Sequence, residues 1–198
     1  MCRQGQAGRS RRSECTKSYV SGDVVPGANM ISVGSKIPSV GIKLISSEGT
    51  VDADAAEILG TGRVVLFTVP GAFTPVCHTN HLPGFAAVAH KMFALGVDKI
   101  FCATLNDHHV VKRWAEESGT LDRISFISDG PGALARALGL VVNYSDLGDR
   151  YARAAMILED GVATHVSVES ERGVVTGSGA PAIIEALGRK VSAGSVQE

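Results

Sequence analysis

From about Ile31 onward, short apolar runs and stretches of helical period take turns along the chain. Arg63 to Val69 is almost continuously apolar, the pattern of a strand covered on both faces. Thr74 to Leu95 has the spacing of a long helix that Gly96 ends, and Pro83-Gly84 is expected to kink it. Lys99 to Leu105 is the next strand, and Asp107 caps a helix that runs to about Ser118. Upstream, Ile37 to Ile45 leads into a strand, Ser46 to Thr50 is a turn, and Asp54 to Leu59 is a short helix stopped by Gly60. Downstream come a strand at Ile124 to Ile127 and a short helix from Pro131 to Leu138. Ala152 to Leu158 and Val162 to Val168 then flank Glu159-Asp160-Gly161, a strong hairpin signal. Pro181 to Leu187 is the last helix.

Strands alternating with helices, then a hairpin and a terminal helix, predict an α/β chain with a thioredoxin-like fold, a mixed sheet flanked by helices. Its 198 residues, 44% of them hydrophobic, suit one globular domain over 31–190. Net charge is −1 with mixed signs, which argues against a nucleic-acid footprint. No apolar run reaches the roughly 18 residues of a membrane span. Four scattered cysteines (Cys2, Cys15, Cys77, Cys102) are unlike a secreted disulfide framework, so a reducing, cytoplasmic setting is expected.

Residues 1–30 differ in kind. They carry Arg3, Arg9, Arg11, Arg12 and Lys17 against Glu14 and Asp23, with no periodic apolar pattern. A flexible N-terminal extension is expected there. An Arg-rich, Ser-rich, acid-poor composition also fits an organelle transit segment, so a mitochondrial or other organelle address is the alternative. Residues 191–198 are expected to be a polar tail.

The chemistry centres on Cys77. Thr74 suits an N-cap and Pro75 the first helical position, which puts Cys77 in the first turn of a helix. Unpaired N–H groups and the partial positive charge at that end favour an anionic sulfur. The bland alternative is a buried thiol packing as a small hydrophobe. Asn80 stands three positions on, so there is no C-x-x-C dithiol, which argues against a thioredoxin or disulfide isomerase. Cys77-His78-x-x-His81 lacks the spacing of a zinc site, so no metal is expected. His108-His109 suits a solvated first turn, and Gly130-Pro131-Gly132 is turn chemistry rather than a phosphate loop.

Pro70-Gly71-Ala72-Phe73-Thr74-Pro75-x-Cys77, followed by His81-Leu82-Pro83-Gly84-Phe85, resembles the peroxidatic loop of peroxiredoxins, nearest the type-5 and plant type II kinds. The likeness extends through Leu105-Asn106-Asp107, Trp114, and Arg153 ahead of Met156 to Gly161, so it covers about residues 31–190. It implies a thiol peroxidase acting on hydrogen peroxide and alkyl hydroperoxides, with no cofactor. Cys77 would be the nucleophile that becomes a sulfenic acid, Thr74 would offer its hydroxyl to thiolate and peroxide, Pro70 would keep water out, and Arg153 would supply a cation. The resemblance also implies a homodimer and glutaredoxin with glutathione, or thioredoxin, as reductant in trans.

Topology supports Arg153 separately. Strands 63–69 and 99–105, parallel across a helical crossover, end at one edge, and a strand from 152 running antiparallel starts there. Arg150 is the competing arginine. Cys102, 25 residues after Cys77, resembles the second cysteine of plant type II enzymes and is a candidate resolving thiol. It stands four residues short of the active edge, about 13 Å at ~3.3 Å per residue, whereas a disulfide needs Cα atoms within about 7 Å. A bridge would therefore require the first turn at Cys77 to unwind, and the alternative is that Cys102 is plain core. The human-like resolving cysteine would fall near Val175 to Ser178, where position 177 is glycine. Cys2 and Cys15 are read as incidental. Two other classes stay open: a redox sensor or chaperone-like binder on the same fold, and a Cys-His hydrolase. The joint presence of Pro70, Thr74, Cys77 and Arg153 favours the peroxidase.

Overall fold

The computed structural model describes residues 30–194. The readings made for residues 1–29 and 195–198 lie outside the described residues.

Strand β3 (Arg63–Thr68) is central because both its faces are apolar: Val64 and Leu66 bury to one side, Val65 and Phe67 to the other. Around it a seven-stranded sheet runs in the order β2-β1-β5-β4-β3-β8-β9. These are β1 (Gly41–Ser46), β2 (Gly49–Asp54), β4 (Lys99–Thr104), β5 (Ser125–Ser128), β8 (Ala154–Glu159) and β9 (Val162–Val168). β3, β4 and β5 are mutually parallel, and β8 returns antiparallel beside β3 with Thr68 opposite Ala154. At the β8–β9 turn, Asp160 and Gly161 take φ of 48° and 77°, the left-handed pair that a tight hairpin requires.

Helices α2 (Leu82–Ala94), α3 (His108–Ser118) and α5 (Ala180–Gly194) cover the Phe67 side through Phe85, Met92, Trp114, Ile183 and Leu187. Helices α1 (Ala55–Leu59) and α4 (Ala133–Ala137), with the hairpin β6 (Val141–Tyr144) and β7 (Gly148–Tyr151), cover the other through Leu59, Leu134, Val142 and Tyr151. This is the expected mixed sheet flanked by helices. Among the described residues no helix is long and apolar enough to cross a membrane.

Three elements differ from the sequence reading. β2 and the β6–β7 hairpin were not predicted, because β2 is polar and half-exposed, and β6 and β7 have four residues each. Both depend on pairing, with β1 and with each other, which local propensity does not register. The last helix runs past Leu187 to Gly194, into the stretch expected to be tail.

Phe85 stacks on Phe67 with ring centroids 4.1 Å apart, and both are fully buried. Phe85→Ala is expected to lower the unfolding free energy by about 3–5 kcal/mol in a denaturant titration. A loss under about 1 kcal/mol would mean that this layer collapses to refill the space.

Candidate active site

The chain leaves β3 at its C-terminal end, where Val69 still donates to the Ala103 carbonyl of β4 at 3.0 Å. Pro70 and Gly71 are buried, and Asn106, just past β4, then takes hold of the loop. Its side-chain oxygen accepts from the Ala72 N–H at 2.9 Å and from the Thr104 hydroxyl at 3.0 Å. Phe73 is 42% exposed and sits at φ 58°, a left-handed conformation that strains a bulky side chain. That reversal turns the chain from the loop into the helix.

Thr74 does occupy the N-cap position, its carbonyl accepting the His78 N–H at 2.9 Å. Its hydroxyl does not cap the helix. It donates back to the Gly71 carbonyl at 2.9 Å, which commits its proton and leaves the oxygen able to accept. Pro83 does not break the helix, since α2 continues from Leu82 to Ala94. The turn before it, Cys77–His81, widens to a π-turn in which the Leu82 N–H reaches the Cys77 carbonyl. Proline lacks an N–H and crowds the carbonyl four residues back, and the wider turn accommodates both defects.

Cys77 is 0% exposed at the head of this turn. Arg153, the residue just before β8, lies against it and is 5% exposed. Arg153 donates one guanidinium nitrogen to Cys77 Sγ at 3.4 Å and the other to His81 Nδ1 at 3.1 Å. The competing Arg150 lies on β7 and donates to the neighbouring Asp149 carbonyl. The geometry thus joins Cys77 to Arg153, with Pro70 and Thr74 on the same loop.

His81 does more than pack in the loop. It is buried, with Nε2 at 2.9 Å from the Ser178 carbonyl, and burial lowers its pKa to about 4. The Ser178 bond opposes that shift, the Arg153 charge adds to it, and Glu169 opposes it. Glu169 accepts from the N–H and hydroxyl of both Thr176 and Ser178. Burial alone would raise its pKa, but those four bonds bring it down to about 2. His78, the neighbour of the sulfur, accepts the Trp114 indole N–H at Nδ1 at 2.9 Å. Among the described residues no group of acidic, His and Cys side chains is arranged to hold a metal ion.

Cys102 is fully buried within β4, in the same core layer as Cys77, and both thiols are free. Burial pushes the Cys102 thiol well above its ordinary pKa, and the Cys77 sulfur adds to that while Arg153 opposes it. At Gly177 a Cβ would fall 2.3 Å from the Ser167 hydroxyl, so a side chain there requires that hydroxyl to turn aside. Asn106, Glu169 and Ser178 were not singled out in the sequence as functional. Ala72 lies 34 positions from Asn106 and His81 97 from Ser178, while Glu169 meets Thr176 and Ser178 seven and nine positions on in a loop without regular period; only the Asx position of Asn106 before a capped helix gives a local hint.

Residues 32–184 match the family model described as Redoxin. Peroxiredoxin-2E, chloroplastic, of Arabidopsis thaliana is 35% identical over 189 residues, covering 90% of this chain and 79% of the relative. Peroxiredoxin-2B of the same plant is 37% identical over 160 residues, 79% of this chain and 98% of the relative. Among solved structures, reduced Prx3 of Vibrio vulnificus in complex with hydrogen peroxide superposes with a TM-score of 0.75 at 36% identity, covering 80% of this chain and 99% of that one. The chain therefore belongs to the redoxin family and, within it, to the peroxiredoxins of the plant type II and type-5 kind. As such it is a thiol peroxidase.

Proposed function

We propose that the protein reduces hydrogen peroxide and alkyl hydroperoxides at Cys77. The observation that carries the reading is the buried Arg153 cation 3.4 Å from the Cys77 sulfur. A guanidinium there stabilises negative charge on the nucleophile and on the oxygen it expels. The sulfur attacks the terminal peroxide oxygen, an S–O bond forms as the O–O bond breaks, and two electrons pass to the peroxide. The leaving hydroxide or alkoxide takes up a proton, and Cys77 becomes a sulfenic acid. Thr74, its own proton committed to Gly71, accepts the peroxide O–H and orients the substrate. Buried Pro70 keeps water from competing.

Recycling needs a second thiol, which condenses with the sulfenic acid and releases water. A further thiol then breaks the mixed disulfide. The burial of Cys102 and the upward shift of its pKa favour attack on Cys77 by an outside thiol, glutaredoxin with glutathione or thioredoxin. A homodimer belongs to this reading, with exposed Phe73 as apolar surface beside the site. The scattered cysteines favour the cytoplasm, and the basic segment 1–30, with a relative named chloroplastic, supports an organelle as the second reading.

Mass spectrometry of the peroxide-treated protein tests this. One oxygen is expected on Cys77, trapped by dimedone and removed by one of the two reductants, with Cys102 unmodified. An unmodified Cys77 would overturn the reading. A linked Cys77–Cys102 peptide pair would instead make Cys102 the resolving thiol, and Cys102→Ser would then stop turnover while sparing the first oxidation.

A further inference from the structure

Charge pairing does not explain where Arg153 sits. Among the described residues no carboxylate lies within ion-pair reach of it, and its buried Nε makes no hydrogen bond. Among the described residues the guanidinium's one partner besides the sulfur is His81 Nδ1. That nitrogen can accept only if the ring proton is on Nε2, and the Ser178 carbonyl, which only accepts, holds it there at 2.9 Å. Phe67 and Phe85 press edge-on against the ring at 5.2 and 5.4 Å and keep it from turning.

Ser178 is held in its turn. The Glu169 carboxylate accepts its N–H and its hydroxyl, both at 2.8 Å, and clasps the loop a second time through Thr176 at 2.7 and 2.8 Å. The backbone N–H of Glu169 also donates to the Arg153 carbonyl at 2.9 Å. One residue thus registers both ends of the arginine, its main chain directly and its side chain through Ser178 and His81.

We propose that Glu169 is the positioning residue of the peroxidase site, acting through the Ser178 carbonyl to select the His81 tautomer that aims Arg153 at the sulfur. The proposal rests on the reading of Cys77 as the peroxide-attacking thiol. Burial, which keeps His81 neutral down to about pH 4, is consistent with a histidine that serves as an acceptor. The carboxylate touches neither sulfur nor peroxide, so its effect passes through Arg153, which stabilises the thiolate and, in the peroxide step alone, the expelled oxygen.

The test compares three quantities across variants: the single-turnover rate with peroxide, the alkylation rate of Cys77 by iodoacetamide, and urea stability. The first is followed by peroxide consumption and by the fluorescence of Trp114, the chain's single tryptophan. Glu169→Ala is expected to slow the peroxide step roughly tenfold to a hundredfold, because a misplaced group far from the reacting atoms has that reach. Alkylation should fall by less than the peroxide rate, since Arg153 stabilises the thiolate in both reactions but the expelled oxygen only in the peroxide step. Glu169→Gln should recover most of the rate, since an amide oxygen can still accept both backbone N–H groups. His81→Leu should match Glu169→Ala, His81→Asn should recover part of the loss by restoring an acceptor, and the double variant Glu169→Ala/His81→Leu should be no slower than His81→Leu.

A folded Glu169→Ala with the wild-type peroxide rate overturns the relay, as does a Gln variant as slow as the Ala variant or an alkylation rate that falls in parallel. Should Glu169→Ala not fold, the His81 pair decides, and equal rates in Leu and Asn overturn the proposal. A wild-type chain that consumes no peroxide would instead sink the reading of Cys77, so the two failures are distinguishable.

Discussion

A Cys77→Ser variant is expected to fold and to lose peroxide consumption by at least about a thousandfold, since removing a covalent nucleophile abolishes the step it opens. The two side chains are close in size, but a serine hydroxyl stays protonated at neutral pH and the thiolate is the attacking species. Arg153 would then face a neutral oxygen, and among the described residues no other thiol or histidine in contact with the arginine is open to peroxide: His81 is buried with both ring nitrogens engaged, and Cys102 is closed inside β4. Peroxide loss measured with saturating dithiothreitol checks this without assuming a natural reductant. Residual activity above about a tenth of wild type would move the chemistry to another thiol.

Arg153→Met is expected to slow the peroxide step by about a hundredfold to a thousandfold, the usual cost of losing a preorganised stabiliser of developing charge. Stability should move little. The change removes a buried guanidinium that has an unbonded Nε, which favours the variant, and leaves His81 Nδ1 without its donor, which costs about 1–3 kcal/mol. Urea unfolding beside the single-turnover rate separates the two effects. Arg153→Lys should recover little, because one ammonium cannot span the sulfur and His81 as the guanidinium fork does. A loss below about tenfold in the Met variant would remove the arginine from the chemistry.

What could be read from the chain follows how locally each feature is encoded. Cys77 announces itself through its immediate neighbours, a strand before it and Thr74-Pro75 at a helix start. Arg153 lies 76 positions away in sequence, and it was found mainly through the family resemblance, with strand order in support, because a hairpin strand running antiparallel beside the parallel pair can start at that edge. The acceptors behind it were not legible. His81 and Ser178 meet across 97 positions, and nothing near Glu169 signals that its carboxylate collects four donors. The helix at Cys77 sits between these cases: Pro83 signalled an irregularity, but a widened turn and a kink have the same local signature.

That widened turn makes the length of the segment, as well as its composition, part of the site. An α-helix advances about 100° per residue and the wide turn already absorbs one extra residue, so inserting a further residue between Cys77 and Leu82 would swing the sulfur by about that angle from the guanidinium. The three-residue bend Ser145-Asp146-Leu147 sets no such alignment and should absorb an extra residue. Among related chains, insertions should therefore collect in that surface bend and be missing between the thiol and Pro83.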